Sequence, residues 1–152
     1  MSEQHIETFK ATAVGKDWPT TVAITGTEFT LQLDESVEDG GTNSGANPMQ
    51  YFAASLAGCQ NEQAQVVAEE LEVKLVKINI DLEIDLDLSG FMGTSDHSNN
   101  SYKQVRMKTI VLGELTTDQV QELGKRVDAR CPILGLLRAG GCEIISSWEI
   151  SK

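Results

Sequence analysis

The chain has 152 residues and a formal net charge of −11. That length fits one domain, 1–152, able to bury roughly 70% of the surface its unfolded form exposes. The acidic balance argues against nucleic acid and anionic membranes as partners, because both need a basic patch. No apolar run approaches the ~20 residues of a membrane span. The opening MSEQHIETFK lacks the charged-then-apolar pattern of a signal peptide, so a cytoplasmic location is expected. Cys59, Cys131 and Cys142 are the only cysteines, and no C-x-x-C pair occurs. A disulfide scaffold and a zinc ribbon are therefore not expected, and no metal site is read from the sequence.

His5 to Val14 reads as a strand, rich in Thr and Val, followed by a turn at Gly15, Asp17 and Pro19. Thr21 to Thr25 is a second short strand. Glu28 to Asp34 alternates, with Phe29, Leu31 and Leu33 on the inner side. Short strands joined by tight turns give an antiparallel meander. Residues 34–46, DESVEDGGTNSGA, form a flexible approach to the next element. Their glycines do not make a phosphate-binding G-x-x-x-x-G-K-[ST] loop.

Asn47 to Leu71 is one long helix. Asn47 suits the N-cap, and Pro48 suits the first helical position, where its missing N–H costs nothing. Met49 to Ala57 is apolar on nearly every side, which predicts a buried helix. Cys59 lies in its middle.

Ile78 to Leu88 carries the cleanest alternation in the chain. Its isoleucines and leucines fall on one face, and Asn79, Asp81, Glu83, Asp85 and Asp87 on the other. The acidic row is a solvated strand face rather than a calcium loop, since the Gly and Glu such a loop requires are replaced by Leu86 and Met92. Ser89 to Lys103, with His97, reads as a mobile hairpin loop. Gln104 to Leu112 resumes as a strand whose Arg106 and Lys108 can face the acidic row. Thr116 and Gln119 have capping-box spacing for a second helix with Val120, Leu123 and Val127 inward. Pro132 starts a third helix with Cys131 at its N-cap, and Gly140-Gly141 end it. Cys142 to Ile150 is the last strand. The order is α+β: an antiparallel sheet with helices on one side around a long buried central helix. One sheet covers only one side of such a helix, so a second copy is expected to cover the other, giving a homodimer.

Simple physics favours Cys131 as the reactive thiol. A helix N-terminus carries partial positive charge, and Arg130 adds more. Cys59 sits about three turns into its helix, where burial alone disfavours the thiolate. Cys142 on a strand face reads as structural.

The stretch GTNSGANPMQYFAASLAGC, followed about seventy residues later by RCPILGLL and a terminal strand, resembles the OsmC/Ohr family of osmotically inducible and organic-hydroperoxide-resistance proteins. The resemblance covers essentially the whole chain in element order. It implies an intertwined homodimer with active sites at the subunit interface. It implies a thiol peroxidase acting on organic hydroperoxides, with Cys59 as the peroxidatic thiol and Cys131 resolving its sulfenic acid to a disulfide. An external dithiol, possibly lipoyl-type, would restore both thiols, with no bound cofactor. Apolar neighbours such as Phe52 and Leu56 would suit a hydrophobic peroxide. Met49 and Lys16 complete the implied substrate set. The chain departs from the family pattern at two places. Met49 stands where the peroxidases carry a Glu, and no Arg precedes Arg106, leaving Lys16 as the cation near the corresponding turn. A non-catalytic dimer of the same fold, binding a small apolar ligand or a protein partner, is the rival reading.

Overall fold

The computed structural model describes residues 5–96 and 100–151; His97 lies outside them. The elements run β1 (Ala11–Val14), β2 (Thr20–Ile24), β3 (Thr30–Leu33), α1 (Pro48–Glu70), β4 (Lys74–Leu86), β5 (Tyr102–Glu114), α2 (Thr117–Arg130), α3 (Pro132–Ala139) and β6 (Glu143–Ile150). This is the expected α+β order, with two three-stranded sheets in place of one. Contacts divide the chain into two units, one up to Phe52 and one from Ala53 onward.

In the first unit β1, β2 and β3 form the antiparallel meander the alternation implies, with Val22 opposite both Ala13 and Leu31. The first strand is shorter than expected, four residues in place of ten. Only Asp34 is buried among the described residues of this unit, and Ile6, Phe9 and Phe29 are exposed.

The glycine-rich stretch is organised around Asp34. The Asp34 carboxylate accepts from the backbone N–H of Glu35, Thr42 and Ser44 and from the hydroxyls of Thr42 and Ser44. Two glycines are required by close approach. A Cβ at Gly41 would stand 2.1 Å from the Glu35 carbonyl oxygen, and one at Gly45 would stand 2.2 Å from that of Gln32. The loop delivers Asn47, whose side-chain oxygen accepts the Gln50 N–H at 2.9 Å while the Gln50 side chain accepts the Asn47 N–H at 2.8 Å. That reciprocal cap fixes the start of α1.

In the second unit the strand order is β4-β5-β6. β4 and β5 pair antiparallel, with Ile80 opposite Thr109 and Leu82 opposite Met107. β6 runs parallel to β5, a departure from the antiparallel expectation. Its connection through α2 and α3 carries the chain back across the sheet, the crossover a parallel pair requires. The expected cross-strand charge pairing holds for Arg106, which bonds Glu83 at 3.0 Å and Asp85 at 2.6 Å. Lys108 instead reaches Glu149 on β6 at 3.2 Å.

The core joins Ala64, Val67 and Ala68 of α1 to Val111, to Val120, Leu123 and Val127 of α2, and to Trp148. The capping box of α2 forms as its sequence spacing implies. The helix α1 is covered on one side within the chain. It buries a single stripe, Leu56, Gln60, Ala64, Val67 and Ala68, and leaves Ala54, Ser55 and Gly58 exposed. Its opening residues are apolar nearly all round because small side chains fill that second, exposed face.

Gly124 of α2 lies against the Trp148 indole, and a Cβ there would stand 2.4 Å from the ring. Overpacking of this kind costs about 1–3 kcal/mol, more than the roughly 1 kcal/mol that Ala gains over Gly in a helix. Gly124→Ala is therefore expected to lower the urea midpoint. Gly135→Ala on α3, where an added Cβ meets nothing within 4 Å, is expected to hold or raise it.

Candidate redox site

Cys59 and Cys131 meet. Their sulfurs stand 3.0 Å apart, about 1 Å beyond a disulfide bond of ~2.05 Å. Both are free thiols, Cys59 partly exposed and Cys131 buried.

The position of Cys131 follows from two helix ends that share one residue. Cys131 is the C-cap of α2 and the N-cap of α3, in extended conformation at φ −64° and ψ 115°. Its N–H donates to the Val127 carbonyl and its own carbonyl accepts the Gly135 N–H, each at 3.0 Å. Pro132 follows at the first helical position and lacks an N–H, so Ile133 carries the first available donor of α3. That N–H acts to favour the Cys59 thiolate. The end of α3 that the sequence assigned to the Cys131 thiolate thus acts on Cys59.

Burial, and next the adjacent Cys131 sulfur, push the Cys59 thiol up to about 12; the Ile133 N–H acts against the rise and the Glu62 charge adds to it. No cation is among these influences on Cys59. The Arg130 guanidinium, expected beside the Cys131 thiolate, is engaged with Glu70, the last residue of α1, at 2.6 and 2.8 Å. That bond in turn holds the Glu70 carboxyl below its ordinary range. Cys142 is buried, which pushes its thiol up, and its sulfur lies 3.6 Å from the Glu143 carbonyl oxygen, in keeping with a structural thiol.

The residues named for substrate are spread over both units. Leu56, one turn before Cys59, is fully buried. Met49 is 44% exposed in the first turn of α1, and Phe52 is half-buried. Lys16 lies in the turn after β1, where it lines a cleft of about 490 Å³ with Trp18 and Gly40. Within the second unit a larger cleft, about 730 Å³, runs between Ala53, Ala54 and Ala57 of α1 and Ile80, Leu82 and Met107 of the sheet. Sequence reasoning named neither this cleft, nor the Ile133 donor, nor Glu70. Among the described residues no group of three or more His, Cys, Asp or Glu could hold a metal ion, and no helix is long and apolar enough to cross a membrane.

Alkylation of Cys59 by iodoacetamide is expected to rise about tenfold per pH unit from pH 7 to 10, since the thiolate fraction does so below a high pKa. Cys131→Ala removes the neighbouring sulfur's contribution and is expected to speed alkylation at any pH in that range. A wild-type rate already level below pH 9 would contradict the assignment. The rates are read by quantitative peptide mass spectrometry.

The sequence model of one protein family, described as OsmC-like protein, matches residues 41–146, which include both cysteines. No curated protein matches the chain. Among solved structures, an OsmC-like protein from Mycoplasma pneumoniae superposes with a TM-score of 0.78 at 16% identity, covering 95% of this chain and 96% of that one. A structure from Legionella pneumophila, described as an organic hydroperoxide resistance protein OsmC and predicted redox protein, has a TM-score of 0.73 at 22% identity and covers 98% and 100%. An organic hydroperoxide resistance protein from Elizabethkingia anophelis, with crystallant-derived thiocyanate bound, has a TM-score of 0.73 at 20% identity and covers 99% of each chain. These likenesses extend over the full element order, and with the family match they place this chain in the OsmC-like family.

Proposed function

We propose that the protein is a thiol-dependent peroxidase that reduces organic hydroperoxides, with Cys59 attacking and Cys131 resolving. The observation that carries this reading is the 3.0 Å contact between the two sulfurs. The Cys59 thiolate attacks the distal peroxide oxygen, the O–O bond breaks, and the alkoxide leaves as the alcohol after taking a proton. Cys59 is then a sulfenic acid. The Cys131 sulfur attacks the Cys59 sulfur and expels the hydroxyl as water, which forms the disulfide. An external dithiol, lipoyl-type by family analogy, reduces the pair by exchange. Peroxide and dithiol go in; alcohol, water and the oxidised dithiol come out.

The Ile133 N–H supports the thiolate from the helix end, the role an anion-stabilising donor plays. The apolar surroundings of Cys59, with Leu56 and Phe52 preceding it on α1, suit a hydrophobic peroxide, and Met49 and Lys16 remain the further substrate contacts of this reading. The absence of a cation acting on Cys59 and its high pKa favour the second reading, a non-catalytic dimer that binds a small apolar ligand or a protein partner.

The same proposal makes the protein a cytoplasmic homodimer. A second copy supplies cover for the exposed Ala54, Ser55 and Gly58 of α1 and for the first unit, where Ile6, Phe9, Val14 and Phe29 are exposed. A Cβ at Gly58 meets nothing within 4 Å in the chain, so Gly58→Arg costs the fold nothing internally while obstructing that face. Light scattering at micromolar concentration is expected to give a dimer mass for the wild type and a monomer mass for Gly58→Arg. A monomeric wild type contradicts the assembly.

Consumption of cumene hydroperoxide with dihydrolipoamide as reductant tests the chemistry. Wild type is expected to turn over, Cys59→Ser to lose activity at least a hundredfold, and Cys131→Ser to stop after one equivalent with a trappable sulfenic acid. Full activity in Cys59→Ser eliminates the assignment. No turnover by the wild type, with both thiols left reduced by peroxide, selects the binding reading.

A further inference from the structure

The Glu70–Arg130 bridge stands outside the chemistry described above, yet it joins the last residue of the helix that bears Cys59 to the residue immediately before Cys131. Its geometry is fork to fork. Both Arg130 terminal nitrogens donate, one to each Glu70 oxygen, at 2.6 and 2.8 Å. Such a bidentate pair fixes direction as well as distance.

The α2–Cys131–α3 corner is braced within itself. Arg138 in the last turn of α3 donates to the Asp128 carbonyl of α2 at 2.8 Å, and the Cys131 backbone bonds both helices. What connects this corner to α1 is otherwise mostly apolar. Ala64, Val67 and Ala68 pack on Val120, Leu123 and Val127. Small apolar side chains hold two helices together without a directional preference, so they resist separation better than sliding along the axis. A slide of about 1 Å would greatly change a sulfur–sulfur contact of 3.0 Å, and a fork-to-fork bridge resists it.

We propose that Glu70 and Arg130 are positioning residues for the dithiol, setting the register of α1 against the α2–α3 corner so that Cys131 stands within closing distance of Cys59. This rests on the reading of Cys59 and Cys131 as one redox pair, and its consequence is an effective concentration. The fold that holds the thiols in register favours the disulfide over the dithiol, and by linkage the disulfide favours the bridge. A bridge that only added global stability would leave the redox equilibrium of the folded protein unchanged.

The experiment is a glutathione redox titration of the folded protein in a Cys142→Ser background, where one oxidised glutathione takes two hydrogens from the pair and leaves as two reduced glutathiones. The equilibrium constant is read by alkylation and peptide mapping, with no peroxide involved. Glu70→Gln and Arg130→Ala are each expected to lower it about two- to fivefold, the size of an exposed ion pair. The exchanged double variant Glu70→Arg with Arg130→Glu is expected to recover most of the loss. Equal constants in wild type and single variants overturn the positioning role and leave the redox pair standing. A wild type that forms no Cys59–Cys131 disulfide at any glutathione ratio overturns both. Loss in the single variants without recovery in the exchanged one assigns the effect to the individual side chains and also overturns the bridge.

Discussion

Everything proposed for this protein depends on one residue ending one helix and beginning the next. Cys131 can face Cys59 because α2 stops at Arg130 and Pro132 starts α3 without needing the N–H it lacks. The sulfur is thereby held at a point where the backbone is extended and the first free donor of α3 lies close by. The same donor favours the Cys59 thiolate. A site built on helix ends is more precise than one on a free loop, because each end is fixed by its own hydrogen bonds and by core packing.

That arrangement favours bond formation over thiolate formation. Burial, and next the adjacent Cys131 sulfur, disfavour the Cys59 thiolate and push its thiol up to about 12. Closing the contact to a disulfide needs only about 1 Å of movement, within the reach of side-chain rotation and without local unfolding. The reduced pair is thus poor at the first chemical step and well placed for the second. The chain carries Met49 at the entrance of α1. Gln50 beside it is occupied with the helix cap.

Signals carried by neighbouring residues were legible in the sequence. The alternation read over Ile78–Leu88 appears as far as Leu86, where the strand ends, and the Thr116–Gln119 capping box and the Cys131-Pro132 helix start appear where they were read, because each is set by residues within a few positions. The sites that escaped are set at a distance. Nothing local marks Glu70 as the partner of Arg130, sixty residues on, or Asp34 as the centre of a glycine-rich loop. The direction of β6 was hidden for the same reason, since Cys142–Ile150 alternates identically in a parallel or an antiparallel pair. The exposed face of α1, small-residue and uncovered in the single chain, is the face for which the sequence reading expected a second copy. The pairing of Cys59 with Cys131 came from family resemblance rather than from spacing, and the sulfur–sulfur contact agrees with it.

The most direct test of the account is a crystal structure of the protein after a soak with a stoichiometric amount of tert-butyl hydroperoxide. The account predicts continuous density between Cys59 and Cys131 at disulfide length, with α1 and the α2–α3 corner unmoved. A Cys59 carrying sulfinic or sulfonic oxygens beside an unbonded Cys131 would contradict the central claim, as would two unmodified thiols.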